Sequence, residues 1–149
     1  MIEAPGKLVI AGEYAVLFPG SRGLALAVGP GLKGEGRALE SKEAVLELGI
    51  LRGSPIRCTW AEGRLAPDRP CPGARFVIHA LEALGALIGP FGLELRIGTS
   101  TWGAGPAGHR RRREKPGLGG SGASVACALR VADIALGLDL GPDLRFRVG

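Results

Sequence analysis

The sequence predicts a two-layer α/β (α+β) domain, in which two main helices cover a mixed sheet. Short strand-like segments occupy most of the chain before residue 61, and two longer segments with helical spacing follow them, separated by one more strand. The order lacks the regular alternation of a doubly wound sheet. The sequence contains neither an internal repeat nor an interdomain linker, so residues 1–149 are interpreted as one domain.

The first part of the chain is typical of strands joined by glycine- and proline-rich turns. Residues 6–11 form an apolar run that predicts a buried strand, opened by Lys7. A turn is expected at 19–21 and another at 34–36, and the proline-rich stretch 61–73 is interpreted as a loop. The predicted strands are residues 6–11, 24–28, 44–48, 56–60 and 91–97.

Two segments have the apolar period of a helix. In residues 74–88 a stripe runs through Val77, Leu81, Leu84 and Ile88, and Gly89-Pro90 ends it. His79 lies on the opposite face, where a solvated side chain is the expected role. The second helix follows a loop over residues 98–116 and a glycine segment, and is expected to run to Leu138.

The glycine segment predicts an anion site at the start of the second helix. Four glycines, Gly117, Gly119, Gly120 and Gly122, surround Ser121, which is expected to cap the helix. Free N–H groups and the helix dipole favour an anion there, and a nucleotide phosphate is the best candidate. The alternative is a glycine-rich turn that only begins a core helix. A dinucleotide fingerprint is disfavoured because no apolar strand precedes it, and the Lys-Ser/Thr end of a P-loop is missing.

Composition and charge exclude several classes of protein. Hydrophobic residues make up 46% of the 149, and no apolar run has the length of a membrane span. Residues 1–5 lack the features of a signal peptide. Cys58, Cys71 and Cys127 are odd in number and lack metal-ligand spacing, so no disulfide framework is expected. These features predict a cytoplasmic protein with no membrane partner.

The basic charge is local. Most of the net charge of +5 comes from Arg110–Arg113, a run without interleaved aromatic residues. We therefore expect no nucleic-acid partner, although a nucleic-acid-binding module stays as a third hypothesis. A solvated loop is the expected role of the run, and a contact with a substrate phosphate is the alternative.

Two motifs resemble the signatures of the GHMP kinases (galactokinase, homoserine kinase, mevalonate kinase, phosphomevalonate kinase). Residues 4–17, A-P-G-K-L-V-I-A-G-E-Y-A-V-L, resemble the first signature, and residues 117–123, G-L-G-G-S-G-A, resemble the second. Gly120 stands where the family usually has its first serine. The resemblance covers the whole chain but only the N-terminal half of a typical member, so it implies that family's N-terminal domain without its C-terminal domain. Glu13-Tyr14 and the form of the glycine loop are most similar to the phosphomevalonate kinase branch.

This resemblance implies ATP-dependent, Mg²⁺-assisted phosphoryl transfer to a small molecule of isoprenoid precursor synthesis. Lys7 would lie beside the transferring phosphoryl group, and Glu13 and Tyr14 near the acceptor substrate. Ser121 would meet Mg²⁺ or a phosphate oxygen as a catalytic and metal-binding residue. The residues implied to bind ATP are Pro116, Gly117, Leu118, Gly119, Gly120, Ser121, Gly122 and Ala123.

Other interpretations stay open at this point. The acceptor is expected to be phosphomevalonate, with mevalonate or the substrate of another branch as the alternative, and a non-catalytic nucleotide-binding fragment is the second hypothesis. The family's acidic base and third signature would lie beyond Gly149, and residues 144–149 do not resemble the family's continuation. A truncated or frameshifted reading frame with negligible activity is therefore expected. The oligomeric state is not predicted.

Overall fold

The computed structural model describes residues 1–49, 51, 54–99 and 120–141. Within them, six strands form one sheet, and two helices pack against one of its faces. The elements are β1 (Ile2–Ala11), β2 (Leu24–Leu39), β3 (Glu43–Leu48), β4 (Ile56–Ala61), β5 (Arg64–Pro67), α1 (Arg75–Ile88), β6 (Gly92–Thr99) and α2 (Gly120–Leu136). The predicted two-layer fold with a mixed sheet is confirmed. None of the described helices has the length and hydropathy needed to cross a membrane.

The strand order is β1-β2-β6-β3-β4-β5, so the last described strand lies in the middle of the sheet. β6 pairs antiparallel with β2 on one side and parallel with β3 on the other. The remaining pairs are antiparallel neighbours in sequence. β6 therefore joins two locally connected units, β1–β2 and β3–β4–β5.

The sheet has an apolar face under the helices and a charged open face. On β6, Leu93 and Leu95 are fully buried, whereas Glu94 and Arg96 point to the other side, as the predicted alternation requires. Arg37 of β2 donates to Glu94 at 2.6 Å, and this hydrogen bond lowers the pKa of that carboxyl. Arg96 bonds to the second oxygen of Glu94 at 3.1 Å, so charges on the open face neutralise one another.

β2 is much longer than predicted, and the expected turn at 34–36 is wrong. Gly34 and Gly36 lie inside the strand, directly under α2. A Cβ atom on Gly36 would lie 2.6 Å from Cγ1 of Val131, and one on Gly34 would meet Cys127. The two glycines therefore serve close approach of a helix to the sheet, because they provide room that any side chain would fill.

The predicted loop over residues 61–73 is also wrong, since it contains β5. β4 and β5 form a hairpin whose two turn residues, Glu62 and Gly63, have φ angles of 51° and 77°. Left-handed conformations at both positions fit the twist of a tight hairpin. Leu65 of β5 is buried under α1, which explains why a short strand next to prolines is stable there.

α1 confirms the first predicted helix, with one exception along its stripe. Val77, Leu81 and Leu84 are buried, whereas Ile88 at the last turn is 41% exposed. His79 is exposed, as expected, and its Nδ1 lies 2.9 Å from Oε2 of Glu82. The His79 ring therefore contributes to a surface pair.

Glu82 connects α1 to β5, and this contact gives a stability prediction. Its Oε1 accepts the backbone N–H of Leu65 at 2.9 Å. Burial raises the pKa of Glu82, but the His79 and Leu65 hydrogen bonds and the Arg64 charge outweigh it, so the pKa lies below its usual value. The stabilisation is therefore present above the unfolded pKa of about 4.3 and is lost as the pH falls through the folded pKa.

Glu82→Gln is expected to lower the free energy of unfolding by about 1 kcal/mol at pH 7, because an amide keeps the acceptor and removes the charge. The difference from the parent should shrink as the pH falls from about 4.3 through the lower folded pKa of Glu82, because the protonated carboxyl is then neutral like the amide. Urea unfolding at pH 7 and pH 3 measures both, with Glu40→Gln, an exposed carboxylate, as the control. An equal difference at the two pH values would contradict the role of the charge.

α2 ends at Leu136, two residues before the predicted end. Gly137 has a φ of 64°, and the Leu138 N–H donates to the carbonyl of Asp133 at 3.0 Å, which is the hydrogen bond of a glycine-terminated helix. The Asp133 side chain is buried and accepts the Leu140 N–H at 2.8 Å. The Arg130 guanidinium donates a hydrogen bond to the same carboxylate, with 2.5 Å between Nη1 and Oδ2. Asp133 therefore fixes the exit of the helix.

β1 and β2 extend beyond the described part of β6 as a pair of strands, the arm, formed by residues 6–11 and 24–28. The arm residues pair with each other, whereas β6, described as far as Thr99, pairs with β2 over Leu32–Leu39. The predicted burial of residues 6–11 is wrong: Leu8 and Ile10 are 43% and 52% exposed. The hydrophobic pattern predicted a covered strand, but no described helix covers this part of it.

Candidate functional site

The described part of the glycine segment forms the first turn of α2. Gly120, Ser121 and Gly122 are exposed, and a Cβ atom on either glycine would contact no other atom within 4 Å. Ser121 lies inside this turn, so its predicted position as the cap is wrong. Ser124, which is buried, donates its hydroxyl to the Gly120 carbonyl at 2.7 Å. The first turn of α2 therefore presents an open backbone surface, and the exposed Ser121 hydroxyl makes no hydrogen bond to the other residues that the structure describes.

The start of α2 is directed toward the base of the arm. Cys127 lies over Gly34 and Val131 over Gly36, so the helix and β2 run in the same sense. Ser121 lies six residues before Cys127, about 9 Å along the helix. Gly31 lies three residues before Gly34, about 10 Å along the strand. Because these two distances are similar, Ser121 lies near Gly31.

Gly31 brings β1 and β2 unusually close at this point. A Cβ atom on Gly31 would lie 2.8 Å from Cα of Pro5 and would overlap the Ala4 carbonyl. Lys7 follows two residues after Pro5. The exposed first turn of α2 and the predicted phosphate-binding lysine therefore occupy the same end of the sheet.

Lys7 is exposed and makes no hydrogen bond or ion pair within the described residues. The prediction that Lys7 opens a buried strand is wrong. Because the side chain is exposed, its charge is not desolvated and needs no anion to compensate for burial. Lys7 points to the opposite face of the strand from Leu8. Its position leaves the ammonium group available to a ligand.

Glu13 and Tyr14 lie in the connection at the end of the arm. Gly12, with a φ of 79°, turns the chain, and a Cβ atom there would lie 2.8 Å from Cα of Gly23. Both side chains are exposed, Tyr14 by 75%. The turn therefore places them beyond Lys7 on the same hairpin. Gly12 and Gly31 were not predicted as site-shaping residues, although glycine inside an apolar strand pattern is a signal for close backbone approach.

The remaining predicted site residues fall outside the described part of the chain. These are Pro116, Gly117, Leu118 and Gly119 of the glycine loop, together with the Arg110–Arg113 run. Their assigned roles stay predictions.

Other groups in the described residues do not form a second site. Burial raises the pKa of Cys58 to about 12 and that of Cys127 to about 11, so both thiols are protonated and poorly nucleophilic at neutral pH. A depression of about 310 Å³ on the open face is lined by Glu35, Arg37 and Arg96 among others. The hydrogen bonds of Arg37 and Arg96 to Glu94 already use those arginines.

Comparison with known proteins identifies relatives along nearly the whole chain. No family model matches. A curated phosphomevalonate kinase from Streptomyces sp. (strain CL190) is 30% identical over 155 residues, a match that spans 98% of this chain and 41% of that protein. The chain is thus about two fifths of the length of this relative, and the match agrees with the branch resemblance drawn from Glu13 and Tyr14.

Solved structures confirm the fold. The Streptococcus pneumoniae phosphomevalonate kinase in complex with phosphomevalonate and AMPPNP matches with a TM-score of 0.71 at 22% identity, over 99% of this chain and 40% of that one. The Methanococcus jannaschii mevalonate kinase matches with a TM-score of 0.70 at 17% identity, over 99% of this chain and 43% of that one. Both likenesses cover about two fifths of the solved chains.

Proposed function

We propose that this chain, which has the sequence signatures and the fold of the N-terminal part of a GHMP kinase, provides the nucleotide-binding half of a phosphomevalonate kinase active site. The observation that carries the proposal is the convergence of the open first turn of α2 and Lys7 at one end of the sheet. The reaction is transfer of the ATP γ-phosphoryl group to the phosphate of phosphomevalonate. Mevalonate kinase is the alternative within the family.

Backbone groups at the start of α2 bind the ATP phosphates. The N–H groups of the first turn have no partners within the helix, and the dipole places partial positive charge there. With no side chains on Gly120 and Gly122, phosphate oxygens approach the backbone closely. The AMPPNP bound to the Streptococcus pneumoniae structure supports ATP as the nucleotide. Residues 116–119 complete this loop in the proposal.

The described residues could supply only a small part of the coordination of Mg²⁺ at this site, so most of its ligands would come from elsewhere. No group of three or more His, Cys, Asp or Glu side chains in the described ranges could hold an ion. Mg²⁺ keeps several waters and binds phosphate oxygens in many kinases, so the Ser121 hydroxyl would add one protein oxygen. The ion would neutralise charge on the β- and γ-phosphates.

The arm supplies the acceptor side of the site. Lys7 is a mobile point charge suited to compensating negative charge that develops on the transferring phosphoryl group. Glu13 and Tyr14, at the end of the hairpin, orient the acceptor substrate. A non-catalytic nucleotide-binding fragment is the second candidate, because the chain corresponds to only about two fifths of each relative.

ATP binding tests the nucleotide part of the proposal. Gly119→Val and Gly122→Val should each weaken Mg-ATP binding at least about tenfold, because a side chain would occupy the space of a phosphate. The position of Gly122 is open, so its substitution should leave the helix content unchanged. Calorimetry with ATP, AMPPNP and AMP measures binding, and AMP should bind weakest because it lacks the terminal phosphates.

Gly98→Val serves as the matched control, since Gly98 is exposed and open, and its position in β6, next to the buried Ile97, faces the side of the sheet opposite α2. It should bind ATP like the parent chain. ATP binding by Gly122→Val at parental affinity would show that the start of α2 is not the phosphate site.

A further inference from the structure

β2 carries a bulge at the point where the arm begins. Between two regular pairs, one residue of β1, Pro5, lies opposite residues 29–31 of β2. Proline has no N–H to donate to a ladder and is tolerated in sheets at such irregularities. A bulge bends its strand and increases the local twist, and bulges are common beside active sites, where they redirect a side chain. The two flanking pairs are Ala4–Leu32 and Gly6–Val28.

The bulge is the junction between an anchored part of the two strands and the arm. On one side of it, Ala4 and Leu32 are buried in the core that also contains Cys127 of α2. On the other side, Lys7 is exposed and pairs with Ala27, which is exposed as well. Within the described residues, the position of Lys7 relative to α2 therefore depends on the geometry of this junction.

Gly31 determines how closely the two strands approach at the junction. A Cβ atom there would lie 2.8 Å from Cα of Pro5 and would overlap the Ala4 carbonyl. The φ angle of Gly31 is not positive, so the glycine provides space and not a left-handed conformation. Restoring an ordinary carbon separation of about 3.5–4.0 Å would move β1 by roughly 1 Å, just before Lys7. Gly29 differs, since a Cβ atom on it meets nothing within 4 Å.

We propose that the bulge is a positioning device for phosphoryl transfer, in which Gly31 sets the distance between the Lys7 ammonium group and the phosphates held at the start of α2. The inference rests on the proposed function. Displacement of a positioned group by about 1 Å can lower a reaction rate on the order of 100-fold. Gly31 is then a positioning residue that acts through Lys7 and does not itself contact the substrate. Because α2 packs on the anchored side of the junction, ATP binding is independent of the bulge.

Turnover of Gly31→Ala tests the inference. It is measured with Mg-ATP and phosphomevalonate in the chain joined in one polypeptide to the remaining three fifths or so of the Streptomyces relative. The kcat should fall about 10- to 100-fold, whereas the dissociation constant for ATP, measured on the chain itself, should stay within about twofold. Gly29→Ala lies in the same bulge in open space and should keep the parental kcat.

Gly92→Ala controls for stability that is lost through crowding. A Cβ atom on Gly92 would overlap the Leu39 and Ser41 carbonyls, at the opposite end of the β2–β6 pairing from Leu32. This variant should unfold at a lower urea concentration than the parent, as Gly31→Ala should, because both crowd the backbone. Its kcat should nevertheless stay parental, since Lys7 is not displaced.

A double variant shows whether Gly31 acts through Lys7. In the Lys7→Met background, Gly31→Ala should change kcat by less than about twofold, because the group that it displaces is already absent. A purely structural role of Gly31 would give the same fold-loss of kcat in both backgrounds.

Deletion of Gly29 and Pro30 removes the bulge without crowding the strands. It leaves Pro5 opposite Gly31 and makes the ladder continuous. Because two residues are removed, every side chain keeps its face of the sheet. The kcat should again fall at least about tenfold with ATP binding unchanged.

Parental kcat in a folded Gly31→Ala variant, or in the deletion variant, would overturn the inference, and so would an equal loss in both backgrounds. Failure of the proposed function has a different signature. Parental turnover by Lys7→Met, or no ATP binding by the parent chain, would refute the proposed function and the inference with it.

Discussion

Lys7→Met is expected to lower phosphoryl transfer by about 10²- to 10³-fold, the effect of removing one preorganised charge from a developing anion. Because Lys7 is exposed and has no partner among the described residues, stability should change by less than about 1 kcal/mol. Methionine keeps much of the apolar stem, so the change isolates the charge. The loss should appear in kcat more than in the dissociation constant for ATP, since the start of α2 holds the phosphates.

Turnover is measured with the chain joined in one polypeptide to the remaining three fifths of the Streptomyces relative, with Mg-ATP and phosphomevalonate. Lys42→Met is the control, because Lys42 is an exposed lysine in the short connection between β2 and β3. It should keep parental turnover. A fall in melting temperature for Lys7→Met with turnover preserved would reverse the assignment from chemistry to stability.

Gly36→Val is expected to lower the free energy of unfolding by about 3 kcal/mol, at the upper end of overpacking effects. The new Cβ would lie 2.6 Å from Cγ1 of Val131 and would also overlap the Glu94 carbonyl of β6. Either α2 rises from the sheet or β2 separates from β6. Displacing α2 would also move its first turn, so the variant should bind ATP more weakly as well as being less stable.

Gly29→Val is the matched control on the same strand, since a Cβ atom on Gly29 meets nothing within 4 Å. It should be neutral or slightly stabilising, because a side chain restricts the unfolded chain. Urea unfolding of both variants measures the difference. Equal midpoints would show that α2 does not pack closely over Gly36.

The sequence predicted the helices, the two-layer class and four of the strands because apolar periodicity is local. It failed at β2, where Gly34 and Gly36 were interpreted as a turn. Glycine has the same local signature in a turn and under a close helix, and only the positions of Cys127 and Val131 distinguish the two. β5 was missed for a related reason, since its burial under α1 outweighs the proline-rich context.

The candidate site was predicted by resemblance more than by physical pattern. Hydrophobicity alone predicted a buried strand around Lys7, whereas the structure leaves it exposed. The apolar residues Leu8 and Ile10 were predicted to be buried, but they are 43% and 52% exposed, because their own spacing does not encode whether a helix covers them. Ser121 was placed at the cap because serine favours that position, and the helix begins one residue earlier.

The central position of β6 has a consequence for how the chain folds. The β1–β2 and β3–β4–β5 units can each pair early, since their strands are neighbours in sequence. The sheet closes only when Gly92–Thr99 inserts between them and joins residues about 60 positions apart in the β2–β6 register. Such non-local closure is slow, and until it occurs the inner edges of β2 and β3 are both unpaired. During synthesis the chain is therefore most exposed to misassembly in the interval between the emergence of β3 and that of β6.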